Sequence, residues 1–248
     1  MKGGDLRELA LFAGAGGGIL GGKILGWKTV CAVEIDPYCQ TVLLARQADK
    51  ILESFPIWDD VRTFDGTSWR GRVDVITGGF PCQDISSAGK GKGIDGERSG
   101  LWKHYARIIG EVGPSSVFME NSPMLISRGL GTVIKDLAEM GFDARWGVLG
   151  HDAFGGLSKR KRIWIFANSN RKRLFGFKRW MPKIQGREKN IPPVFPTQKF
   201  LPGIENMLSE PAVLGVGNGL AYRMGQTKAI GNGQVPIVAA EAWRILNQ

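Results

Sequence analysis

The chain has 248 residues, of which 43% are hydrophobic, 23% charged and 36 in number glycine, with a formal net charge of +10 and a sequence pI near 9.7. That length supports one large core with a small appendage, and a basic excess of this size favours a polyanionic partner, because clustered Lys and Arg replace counterions along phosphates. Cys31, Cys39 and Cys82 form no disulfide framework or metal spacing, and with only His104 and His151 beside them a zinc site is not expected.

Charged residues reach Glu8, and Gly14, Gly16, Gly17 and Gly18 break the first apolar run. No signal pattern or membrane span is expected, and the protein reads as cytoplasmic, with thiols suited to a reducing compartment.

In chain order, Leu9-Ala10-Leu11-Phe12 predicts a buried strand that ends in a glycine loop. Thr29-Val30-Cys31-Ala32-Val33 predicts a second strand, ending at Glu34. Cys39 follows Pro37 on an expected helix. Val73-Asp74-Val75-Ile76-Thr77 stops at Gly78-Gly79, and Ser116-Val117-Phe118-Met119 stops at Glu120-Asn121. Residues 142–149 and 162–167 predict two further strands. Between strands, Leu101, Tyr105, Ile108, Ile109 and Val112 form one apolar stripe at helical spacing, as do Leu130, Val133, Ile134, Leu137 and Ala138. Such alternation predicts an α/β fold with a mostly parallel sheet covered on both faces.

The texture changes near residue 168. Across 168–200, Arg171, Lys172, Arg173, Lys178, Arg179, Lys183, Arg187, Lys189 and Lys199 face the single acid Glu188, with Phe175, Phe177 and Trp180 interleaved. Pro192, Pro193 and Pro196 break any helix there. A small loop-rich basic lobe is expected, followed by Gly231-Asn232-Gly233 and a closing helix over 236–246 with Pro236 near its start. The expected division is 1–167, 168–217 for the lobe, and 218–248 returning to the first unit.

Ligands of such sheets bind at the carboxyl ends of strands. Phe12-Ala13-Gly14-Ala15-Gly16-Gly17 lies at one such end, where glycines let the backbone turn and approach a ligand. It can hold a dinucleotide, S-adenosylmethionine or nothing. Glu34 ends the next strand, where a carboxylate can bind ribose hydroxyls. Asp60-Val61 can flank an adenine. Cys82 lies just beyond the third strand in Gly78-Gly79-Phe80-Pro81-Cys82-Gln83. Its neighbours are Gly, Pro, Gln and Asp, a setting unlike that of a buried cysteine, whereas Cys31 and Cys39 suit the core. A Pro-braced thiol near Glu120 suggests a nucleophile with a carboxyl acid. His104, on the exposed side of its helical pattern, and His151, in a loop, read as structural or surface residues.

Taken together, these segments resemble the DNA (cytosine-5)-methyltransferases over nearly the whole chain. The glycine loop resembles the family's S-adenosylmethionine motif. Gly78 to Gln83 resembles its nucleophile motif, and Arg98-Ser99-Gly100-Leu101 the segment after its mobile loop. Glu120-Asn121-Ser122 resembles its Glu-Asn-Val motif, residues 158–162 its Gln-x-Arg-x-Arg motif, and Gly231-Asn232-Gly233-Gln234-Val235-Pro236 its closing motif. Ser158 stands where the family has Gln, Ser122 where it has Val, and the region after residue 168 is short.

The resemblance implies a Rossmann-like class I S-adenosylmethionine-dependent methyltransferase fold with a small loop-rich target-recognition lobe. It implies a cofactor set of Phe12, Ala13, Gly14, Gly16, Gly17, Glu34, Ile35, Asp60, Val61, Pro81, Asn232 and Val235. It implies Cys82 as the nucleophile toward cytosine C6, Glu120 on the N3/N4 edge, and Arg162 with Arg160 at O2 or nearby phosphates. Double-stranded DNA is the implied partner, met by Gln83, Ser86, Lys90, Lys92, Arg98, Arg171, Arg173, Lys178 and Arg179, and acting on a flipped-out base. No metal is implied, and a monomer is the default.

Three other readings stand beside this one. A nicotinamide-dependent oxidoreductase explains the glycine loop and Glu34 but leaves Pro81-Cys82-Gln83 idle. An RNA cytosine-5 methyltransferase shares the motifs. A catalytically weak or inactive DNA-binding homologue fits the short lobe, while the retained Cys82, Glu120, Arg160 and Arg162 speak against it.

Overall fold

A computed structural model describes residues 5–81, 99–154, 160–169 and 233–248. In chain order the elements are β1 (Arg7–Leu11), α1 (Gly17–Ile24), β2 (Lys28–Val33), α2 (Pro37–Ala48), β3 (Ile57–Trp58), β4 (Val75–Gly78), α3 (Trp102–Val112), β5 (Ser116–Asn121), α4 (Leu125–Arg128), α5 (Leu130–Glu139), β6 (Phe142–Gly150), β7 (Lys161–Ser169) and α6 (Pro236–Leu246). The strands form one sheet in the order β3-β2-β1-β4-β5-β7-β6. Among the described residues, β7 runs antiparallel to both β5 and β6, and the remaining pairs are parallel. The α/β fold with a mostly parallel sheet is therefore as the sequence predicts.

Two apolar layers cover the sheet, which is why its strands read as continuous hydrophobic runs. Leu9, Leu11, Val33, Ile76, Val117 and Met119 face α3 and α5, where Tyr105, Ile108, Ile109, Val133 and Leu137 complete the core. On the other face Ala10 and Ala32 meet Ile19, Leu20 and Leu43 of α1 and α2. Beside them α6 lays Trp243 edge-on against Trp27, Phe118 and Phe166, with ring centroids 4.5, 5.4 and 4.9 Å apart. Edge-to-face packing of this kind suits the quadrupoles of aromatic rings.

Local chemistry sets the element ends. Asp36 caps α2, its Oδ1 accepting from Tyr38 N at 3.0 Å, and Pro37 occupies the first turn. Gly113 ends α3 in the left-handed region at φ 62°. Arg7 bonds Asp74 through its backbone N, Nε and Nη2 at 2.8–2.9 Å, joining the amino ends of β1 and β4.

The sequence reading missed three features. β3 is two residues long, too short for any periodicity to register. α1 contains Gly17, Gly18, Gly21 and Gly22, a poor helix by propensity. Packing overrides propensity here, since a Cβ on Gly21 would lie 2.8 Å from Ala239 Cβ of α6. β7 continues through Ser169, which pairs with Phe142, so the sheet extends two residues past the expected boundary at 167. The expected basic lobe over 168–217 falls, beyond residue 169, outside the described residues.

One charge sits in the middle of the sheet. Glu8 of β1 has no exposed surface and accepts hydrogen bonds from Thr29 Oγ1 at 2.7 Å and Thr77 Oγ1 at 2.6 Å. Burial pushes its carboxyl up to about 7, against the pull of the two hydroxyls. Because this folded-state pKa lies above the unfolded one, the associated stability is full below about pH 4.5 and is lost as pH rises through about 7. Glu8→Gln should therefore flatten the pH dependence of the melting temperature between pH 5 and 8.5. It should raise stability at the alkaline end by on the order of 3 kcal/mol, read from urea midpoints of the two proteins at both pH values.

Candidate active site

At the carboxyl edge of the sheet the chain leaves β1 toward one face and β4 toward the other, opening a crevice between them. Around it lie the ends of β1, β2, β4 and β5. After β1, Phe12 takes a left-handed conformation at φ 51°, uncommon for a non-glycine residue. Its ring stacks on Tyr105 at 6.2 Å, which holds it. Gly14 follows at φ 55°, and open space surrounds the position of a Cβ there.

Glu34, at the end of β2, anchors this turn. Its Oε2 accepts from Gly14 N at 2.6 Å and its Oε1 from Asp36 N at 2.8 Å. Burial raises its pKa, opposed by these backbone N–H groups. Each carboxylate oxygen still has acceptor capacity for a further donor. Next to it Ile35 is 58% and Trp58 46% exposed. Trp58 is brought alongside by β2–β3 pairing, with Glu34 N donating to Trp58 O at 2.9 Å. A buried carboxylate beside two exposed apolar side chains and an open glycine turn fits a ribose with a planar base. Trp58 was not singled out from the sequence, because its place beside Glu34 depends on the pairing of a two-residue strand.

Asp60 and Val61 stand further out. Arg62 donates to both oxygens of Asp60 at 2.6–3.0 Å, and that pairing holds the Asp60 carboxyl below the usual carboxylate range. Val61 has its side chain in the core and its carbonyl engaged by Arg107 Nη2 at 2.9 Å.

Glu120 and Asn121 project from the end of β5. Asn121 Nδ2 donates to Phe80 O at 3.1 Å, while its Oδ1 accepts from Ser122 N at 2.8 Å. Asn121 thus ties β5 to the segment that leads through Pro81 toward Cys82. Glu120 Oε1 lies 2.6 Å from Arg162 Nε, supplied by the neighbouring antiparallel β7. Burial pushes the Glu120 carboxyl up to about 7, with Arg162 and then Arg160 pulling it down. A carboxyl titrating there can hold a proton at neutral pH and release it, as a general acid must.

The returning C-terminal segment closes the crevice. Arg160 Nη1 donates to Gly233 O at 2.6 Å. A Cβ on Gly17 would collide with the carbonyl oxygen of Gln234, and one on Gly18 would lie 2.5 Å from Gln234 Oε1. Glycine at the start of α1 is therefore required by close approach of another backbone. Val235 packs against the apolar cluster beneath α6. Elsewhere, His104 is half-buried rather than exposed, and burial lowers its pKa. Among the described residues no group of His, Cys, Asp and Glu is arranged for a metal ion, and no helix is long and apolar enough to cross a membrane.

The described residues thus bring Phe12, Ala13, Gly14, Gly16, Gly17, Glu34 and Ile35 to one side of the crevice and Pro81, Glu120, Arg160 and Arg162 to the other. Cys82, Gln83, Ser86, Lys90, Lys92 and Arg98 lie outside the described residues, as do Ser158, Arg171, Arg173, Lys178, Arg179 and Asn232.

The family model for C-5 cytosine-specific DNA methylase matches residues 6–213. Type II methyltransferase M.Eco47II of Escherichia coli is 36% identical over 170 residues, covering 65% of this chain and 39% of its own length. Type II methyltransferase M.NgoMIV of Neisseria gonorrhoeae is 32% identical over 171 residues, covering 67% of this chain and 53% of its own. Among solved structures, the S. pombe Dnmt2 methyltransferase superposes with a TM-score of 0.55 at 19% identity, covering 71% of this chain and 51% of that one. The chain spans about half or less of the length of these curated relatives.

The close approach at Gly17 is open to direct test. Gly17→Ala should push the segment before α6 off the start of α1 and destabilise the protein by about 1–3 kcal/mol. Thermal melts, together with faster proteolytic release of the C-terminal helix, would register it. Unchanged melting and protection would show that the contact is not made.

Proposed function

Because the chain belongs to the C-5 cytosine-specific DNA methylase family, we propose that it transfers a methyl group from S-adenosylmethionine to C5 of cytosine in double-stranded DNA, with Cys82 as the covalent nucleophile. The observation that carries this reading is Glu120: a buried carboxyl, titrating near 7, paired with Arg162 and joined through Asn121 to the strand of chain that leads into Pro81-Cys82.

Glu34, Gly14, Ile35 and Trp58 are the residues that would hold the adenosine part of the methyl donor, Glu34 through the ribose hydroxyls and the two apolar side chains against the base. When bound, S-adenosylmethionine supplies an electrophilic methyl group on a sulfonium. The protein's task is to make cytosine C5 nucleophilic. The Cys82 thiolate adds to C6 of a flipped-out base, and protonated Glu120 hydrogen-bonds N3 and delivers its proton there as the electron pair moves into the ring. C5 becomes enamine-like. Arg162, beside Glu120, would meet the O2 edge. Once C5 is methylated, a solvent water takes the C5 proton, the electron pair of that bond expels the Cys82 thiolate, and N3 returns its proton to Glu120, restoring the aromatic ring. Extrusion of the base costs a few kcal/mol, supplied by phosphate contacts from the basic 168–217 lobe and from Lys90 and Lys92.

Double-stranded DNA is the substrate we favour over RNA, and the lobe is the part that would read its sequence. The polyanion reading predicts affinity that falls steeply with salt.

Incubation with labelled S-adenosylmethionine and DNA of complex sequence, followed by base-resolution mapping, should give 5-methylcytosine at a defined site. Cys82→Ser should abolish transfer and the covalent adduct with 5-fluorocytosine DNA, and full activity in that variant would overturn the covalent reading. Glu34→Ala should weaken S-adenosylmethionine binding about 10- to 100-fold, the worth of charge-assisted hydrogen bonds, measured by calorimetry. The acid form of Glu120 is the active one, so kcat/KM should decline as pH rises through about 7. Glu120→Gln should lower kcat by about 100-fold or more and remove that decline.

A further inference from the structure

We propose that Gln234 is a positioning residue for Glu120: its side-chain amide, held near Gly79 by the clamp of Arg160 on Gly233, shares the space above that glycine with Glu120 Oε2 and so biases where the Glu120 proton resides.

Three elements far apart in the chain meet at this point. A Cβ on Gly79, just past β4, would lie 2.8 Å from Glu120 Oε2 and 3.5 Å from Gln234 Nε2, so carboxyl and amide share the space above one glycine. The same amide reaches α1, with its Oε1 2.5 Å from the position of a Cβ on Gly18. Gln234 therefore lies between two glycines that have no side chain to displace it. Its backbone is pinned on both sides, by Arg160 Nη1 on Gly233 O at 2.6 Å and by its own carbonyl against Gly17.

The two oxygens of Glu120 are not equivalent. Oε1 sits 2.6 Å from Arg162 Nε in an ion pair without hydrogen-bond geometry, and the guanidinium charge beside it disfavours a carboxyl proton on that oxygen. That charge favours the proton on Oε2, the oxygen above Gly79. Among the described residues the charged groups acting on Glu120 are Arg162 and Arg160, both from the β7 side. On the side of Gly79 the amide of Gln234 is the nearest polar side-chain group other than Glu120 itself among the described residues. An amide suits a group that must change protonation state: its NH2 can donate to ionised Oε2, and after a half-turn its oxygen can accept from the protonated form. Leu, Ser or a charged residue would serve at most one of the two states.

This inference rests on the reading of Glu120 as the acid, and it couples closure of the C-terminal segment to acid catalysis. Removing the amide should affect the chemical step rather than cofactor binding. Two arms test it. In the first, protein labelled with 13C at glutamate carboxyls is titrated by NMR without DNA, with Glu120→Gln identifying the resonance. Gln234→Glu adds a like charge and should move the Glu120 titration upward by about half a pH unit or more, and Gln234→Leu should also displace it. In the second, Gln234→Leu should lower kcat at least about tenfold and shift the pH profile, while the KM for S-adenosylmethionine stays within about twofold.

A Glu120 titration unmoved in both variants overturns the proposal, whatever the activity. So does a Gln234→Leu protein that loses S-adenosylmethionine affinity with an unchanged titration, which would make Gln234 a cofactor contact. If the titration moves but wild-type protein methylates neither DNA nor RNA, the positioning role stands and the methyltransfer reading falls.

Discussion

Close approach of two backbones, at the start of α1 and at Gln234, is the constraint on which the rest of the edge depends. Gly17 and Gly18 admit the returning chain only because they lack Cβ atoms. The same closeness sets the register of α6, whose Ala239 meets Gly21 and whose Trp243 wedges among Trp27, Phe118 and Phe166. Helix α1 is weak by propensity and is stabilised by what packs on it. Its glycines trade local stability for proximity, and proximity is what closes the crevice between β1 and β4.

Buried carboxylates divide the labour in this sheet by their surroundings. Glu8, amid Thr29 and Thr77, lies beneath the edge and touches no open surface. Glu34 accepts backbone N–H groups and shapes the turn after β1. Glu120 faces a guanidinium and titrates near neutrality. All three are shifted upward chiefly by burial, yet they differ in what offsets it: hydroxyls, amides or a cation. The cation matters most for chemistry, because its charge beside Oε1 favours a proton on the other oxygen of Glu120. The antiparallel insertion of β7 brings Arg162 opposite β5 at that point.

Several of these relations were legible from residue patterns. The apolar runs located six of the seven strands and helical spacing located α3 and α5, since burial on one or both faces imprints a period on the chain, while Pro236 marked the start of α6. Glu34 and Glu120 were legible as strand-end acids. Trp58 was not, and Gln234 was legible only as part of the closing motif, not as a neighbour of Glu120. Trp58 lies in a two-residue strand, below the length at which alternation exists, and Gln234 follows two glycines in a segment without periodicity. His104 read as exposed because its helical position faces away from the main stripe, but it lies close enough to Lys103, Arg107, Asp60 and Arg62 to feel their charges.

What the sequence by itself determined is the alternating α/β order, the cover on both faces of a mostly parallel sheet, and the set of residue types gathered at strand ends. These follow from local burial and local backbone preference, which each segment carries within itself. Only the tertiary structure decided which of those residues meet: Arg162 with Glu120 across β5 and β7, Trp58 with Glu34 through the pairing of β2 and β3, and Arg160 with Gly233, 73 residues apart in the chain. Such meetings depend on strand order, strand direction and the space left by missing side chains, quantities that belong to the packed whole and leave no period in any one segment.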